Sequence, residues 1–467
     1  MNKNMNYDIL IIGSGPGGYV SAIRASQLGM KVAVIERAEL GGICLNWGCI
    51  PTKTLLKSAE VFQYIKHSAD YGISIDGDAK VNFLHIIERS RKVADNMSKG
   101  VQYLFKKNKI EVIKGFGKLI DNKTVKVIDK QGNESFYVAN HIILATGAHS
   151  REFPNLRQDG KKIIGYREAL TLPKRPKSMI VVGSGTIGTE LSYFYNAMGS
   201  EITLVEIMPY IIPLEDQDIS KQLSRSFKKA GIKIMTNALV ESINVNNDKC
   251  EATIKTDKGE EVHTAETVFS AVGISPNFEG LGIEEMKIEL EKGKIKVDDY
   301  YQTNIKGIYA IGDIVHGQAL AHVASAEGIV CVEKIAGKNP KTINYKNIPC
   351  CTYTMPEIAS IGLTEKKAQE AGYEIRTGKF PFTASGKANS SGERQGFVKL
   401  IFNADNDKLL GAHMIGANVT EMISELVLAK ELNITGPDII KSVFPHPTMS
   451  EAIKEAAANA YNEAIHI

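Results

Sequence analysis

The chain has 467 residues, 43% of them hydrophobic and 23% charged, with 56 Lys and Arg against 53 Asp and Glu. That length suggests about three domains and a core large enough to need no covalent staples. It excludes disorder, a collagen-like repeat or a coiled coil as the main architecture. A net charge of +3 gives no reason to expect nucleic acid or a membrane surface as partner.

No apolar run approaches the ~18 residues of a membrane span. The first run, Ile9 to Ile12, is too short for a signal-peptide core, so the expected location is the cytoplasm. The cysteines stand at 44, 49, 250, 331, 350 and 351. They are too sparse for a secreted disulfide framework, and the two close pairs point to redox chemistry or metal binding.

In chain order, Tyr7 to Ile12 reads as a buried parallel strand. Gly13-Ser14-Gly15-Pro16-Gly17-Gly18 follows at once. A helical pattern runs from Tyr19 to Leu28, Gly29 ends it, and Lys31 to Ile35 is the next strand, with Glu36 at its end. Gly13 allows the tight turn, Gly15 lets the backbone approach a pyrophosphate, and Gly18 lets the helix pack on the strand. The helix N-terminus stabilises phosphate charge, and Glu36 can hold ribose hydroxyls.

Gly41 to Lys53 comes next and carries Cys44 and Cys49. In an ideal helix a five-residue step rises about 7.5 Å, beyond the roughly 7 Å limit on Cα separation for a disulfide. A bridge therefore needs a distorted turn, which Gly48 permits. Zinc is the main rival, but it normally takes shorter spacing and a second ligand pair, so no metal is expected. Buried structural cysteines are the plainest alternative, and leave unexplained the place beside a dinucleotide loop.

His141 to Gly147 is a strand running into a turn of small residues. Lys161 to Lys177, rich in Lys, Arg and Pro, suits a domain entrance. The first pattern then recurs. The strand Ser178 to Val182 leads into Gly183-Ser184-Gly185-Thr186-Ile187-Gly188, a helix to Met198, a strand Glu201 to Val205, and Glu206. Gly13 to Glu36 and Gly183 to Glu206 span the same interval. Two such units imply two dinucleotides, with a hydride or electron pair passing between them.

Gly307 to Asp313 is another strand ending in an acid. Taken singly, it and His141 to Gly147 are ordinary strand ends. After two nucleotide-binding units they read as pieces completing the first site. Near the C-terminus, Phe444-Pro445-His446-Pro447-Thr448-Met449-Ser450-Glu451 precedes a helix, Ala452 to Tyr461. The prolines fix the backbone around His446, and one of their peptide bonds is a candidate for cis. Ser450 or Thr448 can cap the helix. Glu451 near the imidazole would set its tautomer and raise its basicity.

These motifs, with Ala271 to Asn277 and Leu320 to Gly328, resemble those of the FAD- and NAD-dependent pyridine nucleotide disulfide oxidoreductases. The likeness runs from Tyr7 to about Tyr461, and is greatest to the members that oxidise dihydrolipoamide. It implies an α/β fold: two Rossmann-like dinucleotide-binding domains plus a C-terminal α+β dimerisation domain. Residues 1–148 would bind FAD, 149–275 NAD, 276–345 would complete the FAD site, and 346–467 would form the interface.

The resemblance also implies roles. Cys44 would exchange with the lipoyl group and Cys49 would pass electrons to the flavin. Lys53 would sit near the flavin and pair with Glu190. His446, held by Glu451, would deprotonate the dithiol bound to the other copy of a homodimer. FAD would be held by Gly13, Gly15, Gly17, Gly18, Glu36, Lys53, Gly117, Ala145, Thr146, Gly147, Asp313, Ala321 and His322. NAD would be held by Gly183, Gly185, Gly188, Glu206 and Gly273. The expected partners are lipoyl domains and the core acyltransferase of a 2-oxo acid dehydrogenase complex, or the lipoyl protein of glycine cleavage.

Rival readings are an NAD(P)H-dependent reductase of another small disulfide, or a flavin-binding interaction subunit without disulfide chemistry. Glutathione reductases usually prefer NADP, and mercuric reductases usually end in a cysteine pair that is missing from this tail. Two departures stand out. Phe444 stands where a His is common, and Cys350-Cys351 occupies a strand-like segment that is usually apolar. Cys250 and Cys331 read as structural.

Overall fold

The apolar run at the start of the chain forms the strand Asn6–Ile12, buried throughout from Ile9 to Ile12. Strands buried on both faces pair in parallel under covering helices. The structure, a computed structural model, describes residues 6–246 and 249–467. Contacts divide the chain into two units. The first comprises residues up to 54, 85–151 and 274–345; the second comprises 55–84, 152–273 and 346–467.

The first unit is built on a seven-stranded sheet. Its order is Glu111–Lys114, Val32–Glu36, Asn6–Ile12, Glu134–Leu144, Thr124–Ile128, Phe116–Leu119, with Ile308–Ala310 also along Glu134–Leu144. Pairing is parallel except for the Thr124–Ile128 and Phe116–Leu119 strands. Ile35, Ile12, Leu144 and Ala310 stand level across four strands. Glu36, Gly13, Ala145 and the residues before Asp313 therefore leave the sheet at one edge. Parallel sheets bind ligands there, beyond the carboxyl ends of the strands.

The helix Pro16–Gln27 starts before Tyr19, so Gly17 and Gly18 lie in its first turn. Pro16 at its first position suits that start. The helix packs closely on Ala321–Ile335: a Cβ on Gly328 would lie 2.2 Å from the Ser21 hydroxyl oxygen.

The second unit repeats the arrangement. Its parallel sheet has the order Lys233–Met235, Glu201–Val205, Ser178–Val182, Thr267–Ser270, Ile163–Ile164. Val205, Val182 and Ser270 are level, so Glu206, Gly183 and Ala271 share an edge. The strands Leu239–Asn246, Lys249–Thr256 and Gly259–Ala265 form an antiparallel meander.

From Pro349 another antiparallel sheet follows, in the order Pro349–Thr352, Glu357–Gly362, Leu409–Gly416, Phe397–Asn403, Ile375–Pro381. Helices Val419–Glu431 and Glu451–Ala460 contribute to its core, which includes Phe402, Met414, Leu426 and Ile453. Among the described residues, no helix is long and apolar enough to cross a membrane.

Candidate active site

Two glycine-rich turns open the two parallel sheets in the same way. Gly13 has φ +103° and lies against the Ala145 carbonyl. Gly183 has φ +97° and lies against the Ala271 carbonyl. A Cβ on Gly18 would fall 2.0 Å from Gly13 O, and one on Gly188 would fall 1.9 Å from Gly183 O. Glycine is thus required where each helix crosses its turn. Gly15 and Gly185 cap the helices Pro16–Gln27 and Thr186–Ala197 with no side-chain hydrogen bond, and the space beside their Cα atoms is open. Each helix end therefore presents backbone N–H groups suited to an anion.

The acids at the ends of the second strands are held alike. Glu36 Oε2 accepts the Ser14 N–H at 2.9 Å and the Ser14 hydroxyl at 2.6 Å; its Oε1 accepts the Ala38 N–H at 2.8 Å. Glu206 Oε2 accepts the Ser184 N–H at 2.8 Å and hydroxyl at 2.6 Å; its Oε1 accepts the Met208 N–H at 2.9 Å. Each carboxylate is fixed by the turn it faces and keeps lone pairs for further donors.

Three further segments meet the first edge. The Thr146 hydroxyl donates to Asn277 O at 2.9 Å, and the Asn277 amide donates back to Thr146 O at 2.8 Å, which locks the turn Ala145-Thr146-Gly147. Asp313 lies half-buried in the turn Gly312–Ile314, where burial pushes its carboxyl above the ordinary value. Ala321 and His322 open the helix Ala321–Ile335. Gly117 is buried in the sheet beside Ile12 and Ile35, and Gly273 has φ +107° at the end of the second unit's middle segment.

The cysteine segment leaves this same edge. The Gly41 N–H donates to Ser14 O at 3.0 Å, and a Cβ on Gly42 would lie 2.6 Å from Gly15 Cα. The short helix Gly42–Trp47 ends at Gly48 (φ −146°, ψ −111°), and Cys49–Lys66 begins a new one. That break brings the Cα atoms of Cys44 and Cys49 to 4.7 Å, and their sulfurs are joined in a disulfide. Lys53 follows one turn after Cys49 and is half-buried. Glu190 belongs to the other unit, on Thr186–Ala197; it is buried and accepts the Tyr353 N–H at 2.9 Å.

His446 precedes a cis peptide bond to Pro447. Its Nδ1 lies 2.8 Å from Glu451 Oε1, and Glu451 Oε2 accepts the Thr448 N–H at 2.8 Å. Burial opposes charge on Glu451, but the Thr448 N–H and the His446 ring outweigh it and hold the carboxyl below its ordinary value. A carboxylate can only accept, so it selects the tautomer with the proton on Nδ1 and leaves Nε2 as a base. The His446 side chain is 76% exposed, so that base faces outward. Neither expected cap forms. Ser450 holds the N-cap position but in helical backbone (φ −63°, ψ −23°) with no side-chain cap bond; its hydroxyl donates to Glu425, and the Thr448 hydroxyl donates to Pro445 O.

Residues 7–328 match the family model for pyridine nucleotide-disulphide oxidoreductases, and residues 348–457 match the dimerisation domain of that family. The chain belongs to this family. It is 46% identical to a dihydrolipoyl dehydrogenase of Rhizobium etli and 44% identical to one of Zymomonas mobilis, each over 99% of both chains. A dihydrolipoyl dehydrogenase of Bacillus subtilis is 43% identical over 98% of this chain and 99% of its own. Among solved structures, LpdA of Mycobacterium tuberculosis superposes with a TM-score of 0.89 at 27% identity, over 96% of this chain and 98% of that one.

The sequence reading passed over Ser14, Ser184, Asn277 and Glu327, each of which holds a segment of the strand-end edge. The serines share the second position of the two glycine motifs, and Asn277 and Glu327 lie within the motifs Ala271 to Asn277 and Leu320 to Gly328, which were given no role for them. Cys350 and Cys351 lie on the strand Pro349–Thr352, level with Ser360 and Ala359. Alternation turns them to opposite faces. Cys351 packs on the C-terminal core, and burial pushes the Cys350 thiol up to about 11. Cys250 and Cys331 are buried in separate cores.

Proposed function

We propose that this chain is a flavoenzyme that oxidises protein-bound dihydrolipoamide to lipoamide and reduces NAD+ to NADH. The observation that carries the reading is near-full-length similarity to proteins named dihydrolipoyl dehydrogenase in a chain that holds both a Cys44–Cys49 bridge and a His446–Glu451 pair. Residues 1–148 and 276–345 serve FAD, 149–275 serve NAD, and 346–467 serve a homodimer. The substrate arrives on a lipoyl domain of a 2-oxo acid dehydrogenase complex with its core acyltransferase, or on the lipoyl protein of glycine cleavage, in the cytoplasm.

The residues fit both nucleotides. Each glycine turn offers an uncapped helix N-terminus for a pyrophosphate, and each fixed acid, Glu36 or Glu206, accepts from a ribose. Asp313 accepts from the sugar chain of FAD. Bound FAD supplies the relay of an electron pair between a dithiol and a nicotinamide.

The chain's own residues do the thiol chemistry. His446 of one copy takes the proton from a substrate thiol at Nε2, and Glu451 stabilises the imidazolium. The substrate thiolate attacks Cys44 Sγ, the Cys44–Cys49 bond breaks, and Cys49 leaves as a thiolate. The second substrate thiol attacks the mixed disulfide, releasing the lipoyl disulfide and Cys44 as a thiol. The substrate has then lost two electrons and the cysteine pair has gained them.

Anaerobic titration of the purified protein tests this reading. Dihydrolipoamide and NADH should each reduce the bound flavin, and glutathione should not. A flavin that answers to glutathione and not to dihydrolipoamide overturns it.

A further inference from the structure

The helix Ala321–Ile335 buries a carboxyl group. Glu327 is 1% exposed. Its Oε2 accepts the Gly312 N–H at 2.6 Å, and its Oε1 accepts the Tyr345 hydroxyl at 2.6 Å. Tyr345 spends its proton there, so the Tyr301 hydroxyl, 3.0 Å away, is the donor to Tyr345. Burying a carboxyl is costly unless hydrogen bonds compensate it. The same helix buries Val323, Val330 and Val332 without cost.

What Glu327 holds is one peptide. Gly312 stands at φ +78° between the strand Ile308–Ala310 and Asp313. Lys294, whose charge acts on both Asp313 and Glu327, gives its hydrogen bond to Val315 O. The Ile311 N–H ties the start of the turn to Leu144 O and the Val315 N–H closes it onto Gly312 O, each at 3.0 Å, while Glu327 takes the Gly312 N–H between them; the direction in which Asp313 presents its carboxylate follows from the turn these bonds hold.

We propose that Glu327 is a positioning residue of the flavin site: it fixes the Gly312 peptide and so aims the Asp313 carboxylate at the sugar chain of FAD, with Tyr345 and Tyr301 as its support. The inference rests on the FAD reading above. Burial pushes the Glu327 carboxyl up to about 7. Both its forms can still accept from Gly312 at Oε2, because a proton can sit on Oε1 facing Tyr345. A glutamine can do the same.

The test is release of FAD from the holoenzyme in a chaotropic salt, with visible circular dichroism of the bound flavin. Glu327→Ala should speed release about tenfold or more and alter the dichroism. Glu327→Gln should stay within about threefold with the dichroism kept. Asp313→Asn added to Glu327→Ala should add little, because both act on one contact. If Glu327→Ala does not fold, Tyr345→Phe, which removes only the support, should speed release about threefold in wild type and much less in Asp313→Asn. Wild-type release rates in Glu327→Ala or Tyr345→Phe, or effects that multiply independently of Asp313, overturn the inference. Wild-type protein that carries no flavin overturns the FAD reading itself.

Discussion

Glu451 grips the Nδ1 atom of His446 at 2.8 Å while the Thr448 N–H grips its other oxygen. The imidazole is thereby oriented from one side, with the opposite nitrogen directed to solvent. His446→Gln should lower dihydrolipoamide oxidation by roughly 10²–10⁴-fold. It should lower NADH-driven reduction of an artificial dye far less, since that reaction needs no thiol deprotonation. Equal loss in the two assays would show that the substitution had damaged the fold or flavin binding instead.

The same pair carries a pH dependence. The Glu451 carboxyl is held below its ordinary value. Its contribution to stability is present above the unfolded carboxylate value and is lost as pH falls through the folded one. Urea unfolding of wild type and Glu451→Ala should therefore differ most near neutrality and converge in acid. A gap that widened in acid would reverse the sign.

Cys44→Ser should stop lipoamide turnover, because it removes the sulfur that the substrate attacks. Cys49, no longer bridged, should add a long-wavelength thiolate-to-flavin absorption band. Near-normal turnover in Cys44→Ser would contradict the assigned roles.

Much of this site was legible because local geometry decides it. The glycine turns, their strands and the acids Glu36 and Glu206 follow from short-range pattern. Gly48 permits the distorted turn that a disulfide at this spacing needs, and the helix break falls there. The remainder depends on how separate segments pack. Nothing in the residue pattern around Glu327 points to Gly312 or Tyr345, because those bonds form only when the helix Ala321–Ile335 packs back on the turn before it and on the segment after it. Lys399 is similarly hidden, in the wholly buried strand Phe397–Asn403.

Lys399 is 6% exposed and bonds Asp216 at 2.9 Å, Asp218 at 3.2 Å and Glu365 at 2.7 Å. Burial opposes charge on Asp216 and Asp218, yet Lys399, aided by Lys379 at Asp218 and by the Asp218 N–H at Asp216, outweighs it and holds both below their ordinary values. Their contribution is present above the unfolded carboxylate value and lost as pH falls through the folded one. Lys399→Met should cost about 3–5 kcal/mol, because it leaves buried Asp216 uncompensated. Adding Asp216→Asn should recover part of that. A Lys399→Met protein as stable as wild type in urea would show that the cluster is idle.

On the proposed reading, Glu206 would set the choice of pyridine nucleotide. It is buried, and Ser184 and Met208 fix it where a ribose hydroxyl can donate and a 2′-phosphate is repelled. From the sequence, no Lys or Arg follows until Lys221, which leaves a 2′-phosphate without a partner. The fold qualifies that picture. Lys221, Arg225 and Lys228 line a cleft of about 270 Å³ together with Pro209 and Tyr210, which follow Glu206 closely in the chain. Wild type should strongly prefer NADH over NADPH in kcat/KM at fixed lipoamide, and comparable values would sink this account. Glu206→Ala should narrow the gap by removing the repulsion. Adding Lys221→Ala and Arg225→Ala should widen it again if the cleft supplies the missing charge. An unchanged gap in the triple variant would mean that a basic residue has to be introduced before NADPH is used well.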